Sequence, residues 1–531
     1  MLNTARAMRG MVTSPHHLAS EAGLRVLREG GTAVEATVAM AACLAVVYPH
    51  MTSIGGDGFW LVSRAGAPPV AIDACGAAAE AATEALYAAR GLSAIPWRGP
   101  LAANTVAGTV AGWGEALRLS AEYGGRLSMS RLVEDAVFYA EHGFPVTAGH
   151  EAIVIEKLDQ LADAPGFADV HLVDGRAPET ASVMRTPALA RTLRRIGAKG
   201  ADEFYSGELA REIAADLARI GSPVAAIDLA RHRASRRAPL SVGVRGARLF
   251  NFPPPTQGLS SLMILALFDR LGVTQADGFD HVHGLVEATK QAFLVRDAHV
   301  GDPGSMTRAP ERFLDSATLD ALAAKIDRRK ALPWPQPASA GDTVWLGAID
   351  AQGIAASFIQ SIYFEFGSGC VLRDTGIVWQ NRGASFSFGP GGNPARRLAP
   401  GRKPFHTLNP ALALFGDGRT MVYGTMGGEG QPQTQAAVFS RYAMFGQDLQ
   451  TAITAPRWLI GKTWGDESVT LKLEQRFPPS LYEALRAAGH DVELTAPYTS
   501  VMGHAGAVVR RRDGLFEGAS DPRSDGAAMG F

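Results

Sequence analysis

Cysteine is scarce. The three in 531 residues, Cys43, Cys75 and Cys370, are odd in number and widely spaced, with no CxxC pair, which excludes a disulfide framework and a cysteine-based zinc cluster. Net charge is nearly absent as well. Against 51 Lys plus Arg stand 52 Asp plus Glu, leaving −1, so nothing draws the chain in bulk to nucleic acid or an anionic membrane. Met1-Leu-Asn-Thr-Ala-Arg-Ala-Met-Arg-Gly10 lacks the apolar core of a signal peptide and could not span a bilayer. Gly55-Gly-Asp-Gly58 has neither a Lys-Thr/Ser tail nor GxGxxG spacing, which makes it a tight turn rather than a phosphate loop. His281, His283 and His299 lack the spacing with a carboxylate that a metal site needs and read as helix histidines. No internal repeat appears between residues 110 and 330.

What is present suits a large globular core: 47% hydrophobic and 19% charged residues. His17 to Glu29 has helical periodicity and stops at Gly30-Gly31. Thr32 to Val47 is apolar and Ala-rich, a buried helix that includes Cys43 and closes at Pro49. Phe59–Val62 and Val70–Cys75 read as short strands. Helical stretches follow over Gly112–Tyr123, Arg131–His142 and Asp280–His299, and Gly376–Asn381 reads as a further strand.

One stretch organises the chain. After the proline-rich Leu332-Pro-Trp-Pro-Gln-Pro-Ala-Ser-Ala340, which cannot continue a helix or central strand, comes Gly341-Asp-Thr-Val-Trp-Leu-Gly-Ala-Ile-Asp350. A turn at Asp350-Ala-Gln-Gly353 and a second apolar run, Ile354 to Ser361, make a hairpin. With those four residues as the turn, Ile349 falls opposite Ile354 and Thr343 opposite Gln360, with Ser361 adjacent. A threonine hydroxyl is a poor nucleophile unless a base activates it, and its own α-amine can do so. That amine, with a pKa of roughly 7.7–8.0, is poised for proton transfer at neutral pH. It exists only once the Asp342–Thr343 bond is broken. The alternative is an ordinary strand threonine behind a linker.

Blocks spread over the whole chain decide between the two. They are Ser14-Pro-His-His-Leu-Ala-Ser-Glu-Ala-Gly23, Gly30-Gly-Thr-Ala-Val-Glu-Ala36, Pro49-His-Met-Thr-Ser-Ile-Gly-Gly-Asp-Gly58, Thr105-Val-Ala-Gly-Thr-Val-Ala-Gly112, the Thr343 hairpin, Gly424-Thr-Met-Gly-Gly428 and Asp521-Pro-Arg-Ser-Asp-Gly526. In this order they resemble the γ-glutamyltranspeptidase family of N-terminal-nucleophile hydrolases, made as proenzymes. The resemblance implies a four-layer αββα sandwich. It also implies self-cleavage between Asp342 and Thr343, giving a large subunit, 1–342, and a small subunit, 343–531, of one continuous fold. Thr343 is then the nucleophile, Ser361 positions its amine, and the N–H groups of Gly427 and Gly428 hold the oxyanion. No metal or organic cofactor is implied. The expected partners are a small amide and water, with no nucleic acid and no membrane, in a possible homodimer of heterodimers. Many relatives are exported, so the N-terminus here points instead to the cytoplasm.

The chain departs from the family where the amino-acid substrate is gripped. Cys75 stands where an Arg holds the α-carboxylate, and Tyr363, Arg382 and Ser385 replace an Asn, a Gln and an Asp. An α-ammonium would meet the Arg382 guanidinium instead of a carboxylate, costing about a few kcal/mol in a desolvated pocket. Arg382 suits a carboxylate through a bidentate fork. His406 and Thr407 stand where the family has two hydroxyl residues, and the basic loop Gly389–Lys403 resembles its lid. Asp73-Ala-Cys-Gly76, Arg382-Gly-Ala-Ser385 and the missing signal peptide resemble the oxamate amidohydrolase branch, which hydrolyses a small carboxylate-bearing amide. The other readings are a γ-glutamyl hydrolase or transpeptidase with an altered clamp, a dicarboxylyl acylase of the cephalosporin kind, and an unprocessed, non-catalytic family member.

Overall fold

A computed structural model describes residues 2–334, 342–461 and 468–531, without the side chain of Asp342. Most of the proline-rich segment before the predicted cleavage bond, residues 335–341, therefore lies outside the described residues. Two antiparallel seven-stranded sheets face each other. The first runs, in spatial order, Ala527–Gly530, Gly10–Ser14, Asp342–Asp350, Ala355–Tyr363, Asp57–Ser63, Val70–Ala74 and Ser235–Arg237. The second runs Ala5–Ala7, Phe516–Ser520, Ala505–Arg510, Thr420–Thr425, Ala411–Phe415, Ala247–Asn251 and Leu240–Val244.

Period-2 alternation of apolar side chains separates the three largest cores among the described residues. Phe59, Leu61, Trp345, Ile349 and Ile359 point between the sheets against Phe252, Leu412, Val422 and Val508. The alternate residues Trp60, Val62, Leu346 and Phe358 face outward onto the helices His17–Arg28, Ala33–Val47 and Thr109–Glu122. On the far side, Gly258–Arg270, Phe279–His299 and Gln431–Phe439 cover the second sheet. The result is the expected αββα sandwich. Trp345 fixes how closely the sheets approach, because a Cβ on Gly424 would lie 2.2 Å, and one on Gly506 2.6 Å, from its indole.

The helix Ala33–Val47 is buried along its whole length and opens with a Thr32/Glu35 capping box. Its first N–H also donates to Asp350 Oδ2 at 2.8 Å, while Asp350 Oδ1 accepts from Ile354 N at 2.9 Å. One carboxylate thus ties the hairpin turn to the helix behind it.

The hairpin is one residue out of the predicted register. Asp350 N donates to Ile354 O, leaving three residues in the loop, so that Ile349 faces Ala355 and Val344, rather than Thr343, faces Gln360. A bulge between Asp342 and Val344 then brings Thr343 alongside Ser361. Gly376–Asn381 is not a strand: only the isolated bridges Val371–Val378 and Gly55–Trp379 form there. The side chains of Trp379, Gln380 and Asn381 instead donate to the carbonyls of Thr105, Val106 and Trp97.

Candidate active site

Thr343 lies at the end of a central strand and is fully buried. On one side its strand pairs along Ala355–Tyr363; on the other, Gly10–Ser14 pairs only Gly347 to Asp350. The threonine therefore reaches past one neighbour into the space between the sheets. There Gln431, the first residue of the helix Gln431–Phe439, donates from Nε2 to Thr343 Oγ1 at 3.3 Å. Asn409 Nδ2 donates to Gln431 Oε1 at 3.1 Å, which fixes the direction of that amide.

Sheet register extends this end into a row. Ser361 pairs with Asp57 on the next strand, and Gly58 with Ala74 on the one after, which sets Cys75 beside Asp57. Thr343, Ser361, Asp57 and Cys75 share the parity of Trp345, Ile359 and Phe59, whose side chains lie between the sheets. They form a transverse line of polar groups about 4.8 Å apart per strand. A close backbone approach closes its far end: a Cβ on Gly76 would lie 1.6 Å from Val106 O.

Gly427 and Gly428, at the end of the strand Thr420–Thr425, take φ of +114° and +52°, a region that favours glycine. Gln257 tethers this turn. Its Nε2 donates to Gly428 O at 2.8 Å and to Thr407 O at 2.7 Å, while its Oε1 accepts from Arg296 Nη1 at 3.1 Å. Arg296 in turn pairs with Glu429 at 2.9 Å. Buried amide and ion-pair contacts thus hold the glycine pair beside Thr407 and Gln431.

Arg382 is 1% exposed. Its guanidinium lies 3.5 Å over the Tyr363 ring, and Nη1 donates to Thr407 Oγ1 at 3.4 Å. Nε and Nη2 are buried with no hydrogen-bond partner among the described residues. Burial lowers its pKa from that of a free guanidinium. Tyr363 holds this stack at φ +82°, in the left-handed region that a bulky residue enters at a cost of about 1–3 kcal/mol and that clusters at functional sites. Ser385 Oγ donates to Phe405 O at 3.1 Å. His406 Nε2 sits 3.1 Å from Asp57 Oδ2. Burial, with the nearby Arg382 charge, pushes its imidazole well below the usual range, so it is neutral at pH 7.

The γ-glutamyltranspeptidase model matches residues 19–531. The chain belongs to the γ-glutamyltranspeptidase family. It is 54% identical over 523 residues to the oxamate amidohydrolase proenzyme of Klebsiella pneumoniae, covering 98% of each chain. To the glutathione hydrolase-like YwrD proenzyme of Bacillus subtilis it is 42% identical over 524 residues, again 98% of each. The cephalosporin acylase of Bacillus halodurans superimposes with a TM-score of 0.92 at 31% identity, over 100% of this chain and 97% of that one. The αββα arrangement is accordingly the N-terminal-nucleophile hydrolase fold.

Within this family member, sequence reasoning singled out Thr343, Ser361, Tyr363, Arg382, His406, Thr407, Gly427 and Gly428, and all lie at the ends of strands or in the loops beyond them; Arg382 contacts Tyr363 and Thr407, and Gln257 joins Thr407 to Gly428. Ser385 turns to a backbone carbonyl. Asp57, Gln257, Asn409 and Gln431 were missed. Gln431 had a local signal, opening a helix directly after the glycine pair, and Asp57 had only a turn glycine on either side. Among the described residues, two buried groups bring three metal-ligating atoms within 4.8 Å of one another: Asp57–Cys75–His406 and His283–Glu287–His490. In the second, His283 contacts His490 at 2.8 Å and Asp327 O at 2.8 Å, and Glu287 holds Lys290 at 2.7 Å and Leu332 N at 3.1 Å, so its donors are already in use. In the first, the Cys75 thiol is pushed well up by burial and the Arg382 charge lies nearby, both unfavourable to a cation.

Proposed function

We propose that this is a self-processing amidohydrolase whose nucleophile is the N-terminal Thr343 of a small subunit, 343–531, and whose substrate is a small carboxylate-bearing amide of the oxamate kind. The observation that carries the substrate class is the buried Arg382 fork, stacked on Tyr363, with two N–H-bearing nitrogens that have no hydrogen-bond partner among the described residues. A carboxylate accepts from both and neutralises the charge, and a free α-ammonium is repelled. The similarity to the Klebsiella oxamate amidohydrolase proenzyme supports the same choice.

In maturation, Thr343 Oγ attacks the Asp342 carbonyl, the acyl group shifts from N to O, and water cleaves the ester. In turnover the liberated amine takes the Oγ proton as Oγ attacks the amide carbon. The Gly427 and Gly428 N–H groups receive the oxyanion, each worth about 2.7–4 kcal/mol of transition-state binding. The amide nitrogen leaves as ammonia with the proton returned by the amine, and Ser361 positions that amine. Water then attacks the ester under the same base, releasing a dicarboxylate and restoring Thr343. Denaturing electrophoresis is expected to show fragments 1–342 and 343–531, and Thr343→Ala a single band. Ammonia release from oxamate is expected to exceed chromophore release from γ-glutamyl-p-nitroanilide; the reverse order would favour a γ-glutamyl enzyme.

A further inference from the structure

The row that begins at Thr343 contains a carboxyl group for which the proposed reaction has no use. Asp57 is fully buried. Its Oδ1 is fixed by two backbone donors, Gly76 N at 2.9 Å and Gly108 N at 3.1 Å. Its Oδ2 has no hydrogen-bond partner among the described residues, and neither do Nε and Nη2 of Arg382. His406 Nε2 approaches Oδ2 to 3.1 Å without the alignment of a hydrogen bond. A guanidinium and a carboxyl group, both buried around Thr407 and Cys75 and both incompletely satisfied, stop short of pairing with each other. Buried polar groups left unsatisfied on both sides call for a partner, and a bound ligand is one that could serve both.

We propose that Asp57 binds the substrate carboxylate as a neutral carboxylic acid, donating its Oδ2–H beside the Arg382 fork. Asp57 is thereby a specificity-determining residue. This rests on the reading of Arg382 as the carboxylate site. An ionised Asp57 would repel the same ligand, so only the acid form is compatible with it. The surroundings favour that form. Burial raises Asp57 to about 7, opposed by the Gly76 N–H, His232, the Gln380 side chain and the Gly108 N–H. The other groups facing it are Cys75, whose thiol burial pushes well up, Tyr205, raised by burial, and Lys403, paired with Asp73 at 2.9 Å behind Cys75. His232, lowered to about 4 by burial, and His406 are uncharged above pH 6. In the processed protein the Thr343 amine also titrates near the row.

The substitution Asp57→Asn separates these groups. The amide keeps an acceptor for the Gly76 and Gly108 N–H groups, places a permanent donor where Oδ2 was, and leaves the amine untouched. Calorimetric binding of oxalate to the processed protein, from pH 6 to pH 9, is the test. Wild type and D57N are expected to bind alike at pH 6. Above about pH 7 the neutral acid falls about tenfold per pH unit, so D57N should bind roughly a hundredfold more tightly than wild type at pH 9. D57A, without the donor, should bind roughly ten- to a hundredfold more weakly than wild type at pH 6. A wild-type to D57N ratio that does not move with pH, or D57N as weak as D57A throughout, overturns the role of Asp57 and leaves Arg382 in place. No oxalate binding by wild type at any pH overturns the Arg382 reading and this one with it.

Discussion

Arg382 is the residue on which substrate choice turns. Its charge is buried, its plane is held by Tyr363, and its Nε and Nη2 have no hydrogen-bond partner among the described residues. Arg382→Ala should raise KM for oxamate at least a hundredfold with a smaller change in kcat, because it removes binding and leaves Thr343 and the glycine pair in place. Arg382→Lys should recover only a small part, since an ammonium cannot reproduce two parallel N–H contacts. Steady-state kinetics of the two variants decide this; a KM within threefold of wild type in R382A would remove Arg382 from the substrate site. The sequence made Thr343, Arg382, Thr407 and the glycine pair legible because each is a chemically distinctive residue in a recognisable block. Asp57 was not legible. Its meaning depends on pairing with Ser361 across some three hundred residues, and on the loop carrying His406 closing over it.

At the scale of elements, the site is a set of strand ends held in place by amides. Gln257 spans the Thr407 and Gly428 carbonyls. Gln257→Leu should lower kcat tenfold or more with little change in KM, because the oxyanion donors lose their tether while Arg382 keeps its stack. Equal losses in both constants would mean that Gln257 supports binding instead. Helices and central strands were readable from periodicity and from stops such as Gly30-Gly31. The hairpin register was not, because the bulge between Asp342 and Val344 and the three-residue loop shift the pairing by one without altering the apolar alternation. Gly376–Asn381 has the composition of a strand, yet its polar side chains tie it to neighbouring loops instead.

For the whole molecule, Asp342–Asp350 sits inside a sheet, with Gly10–Ser14 on one side and Ala355–Tyr363 on the other. In both sheets a block of strands from after the proposed cut lies between strands from before it: Asp342–Asp350 and Ala355–Tyr363 between Gly10–Ser14 and Asp57–Ser63, and Phe516–Ser520 to Ala411–Phe415 between Ala5–Ala7 and Ala247–Asn251. Cleavage before Thr343 should therefore leave the two fragments in one particle, co-eluting in gel filtration until denaturant melts both together; fragments that separate in native buffer would contradict this. Acid should be a weak point. Asp521, buried against Arg457 and Arg523, is depressed to about 2; burial opposes ionisation, and the two guanidinium groups outweigh it. A depressed carboxylate contributes stability above its unfolded pKa of about 3.9 and loses it as pH falls toward 2. Asp521→Asn should accordingly lower Tm at pH 7 by several degrees and narrow the difference from wild type near pH 2, as followed by thermal denaturation.

The central claim is that one newly made amine serves as base for the hydroxyl on the same residue. End-group sequencing of the smaller fragment from an active preparation tests it most directly. Thr-Val-Trp-Leu-Gly, beginning at Thr343, is the result expected. Any other first residue, or full activity in an uncut chain, would contradict the mechanism.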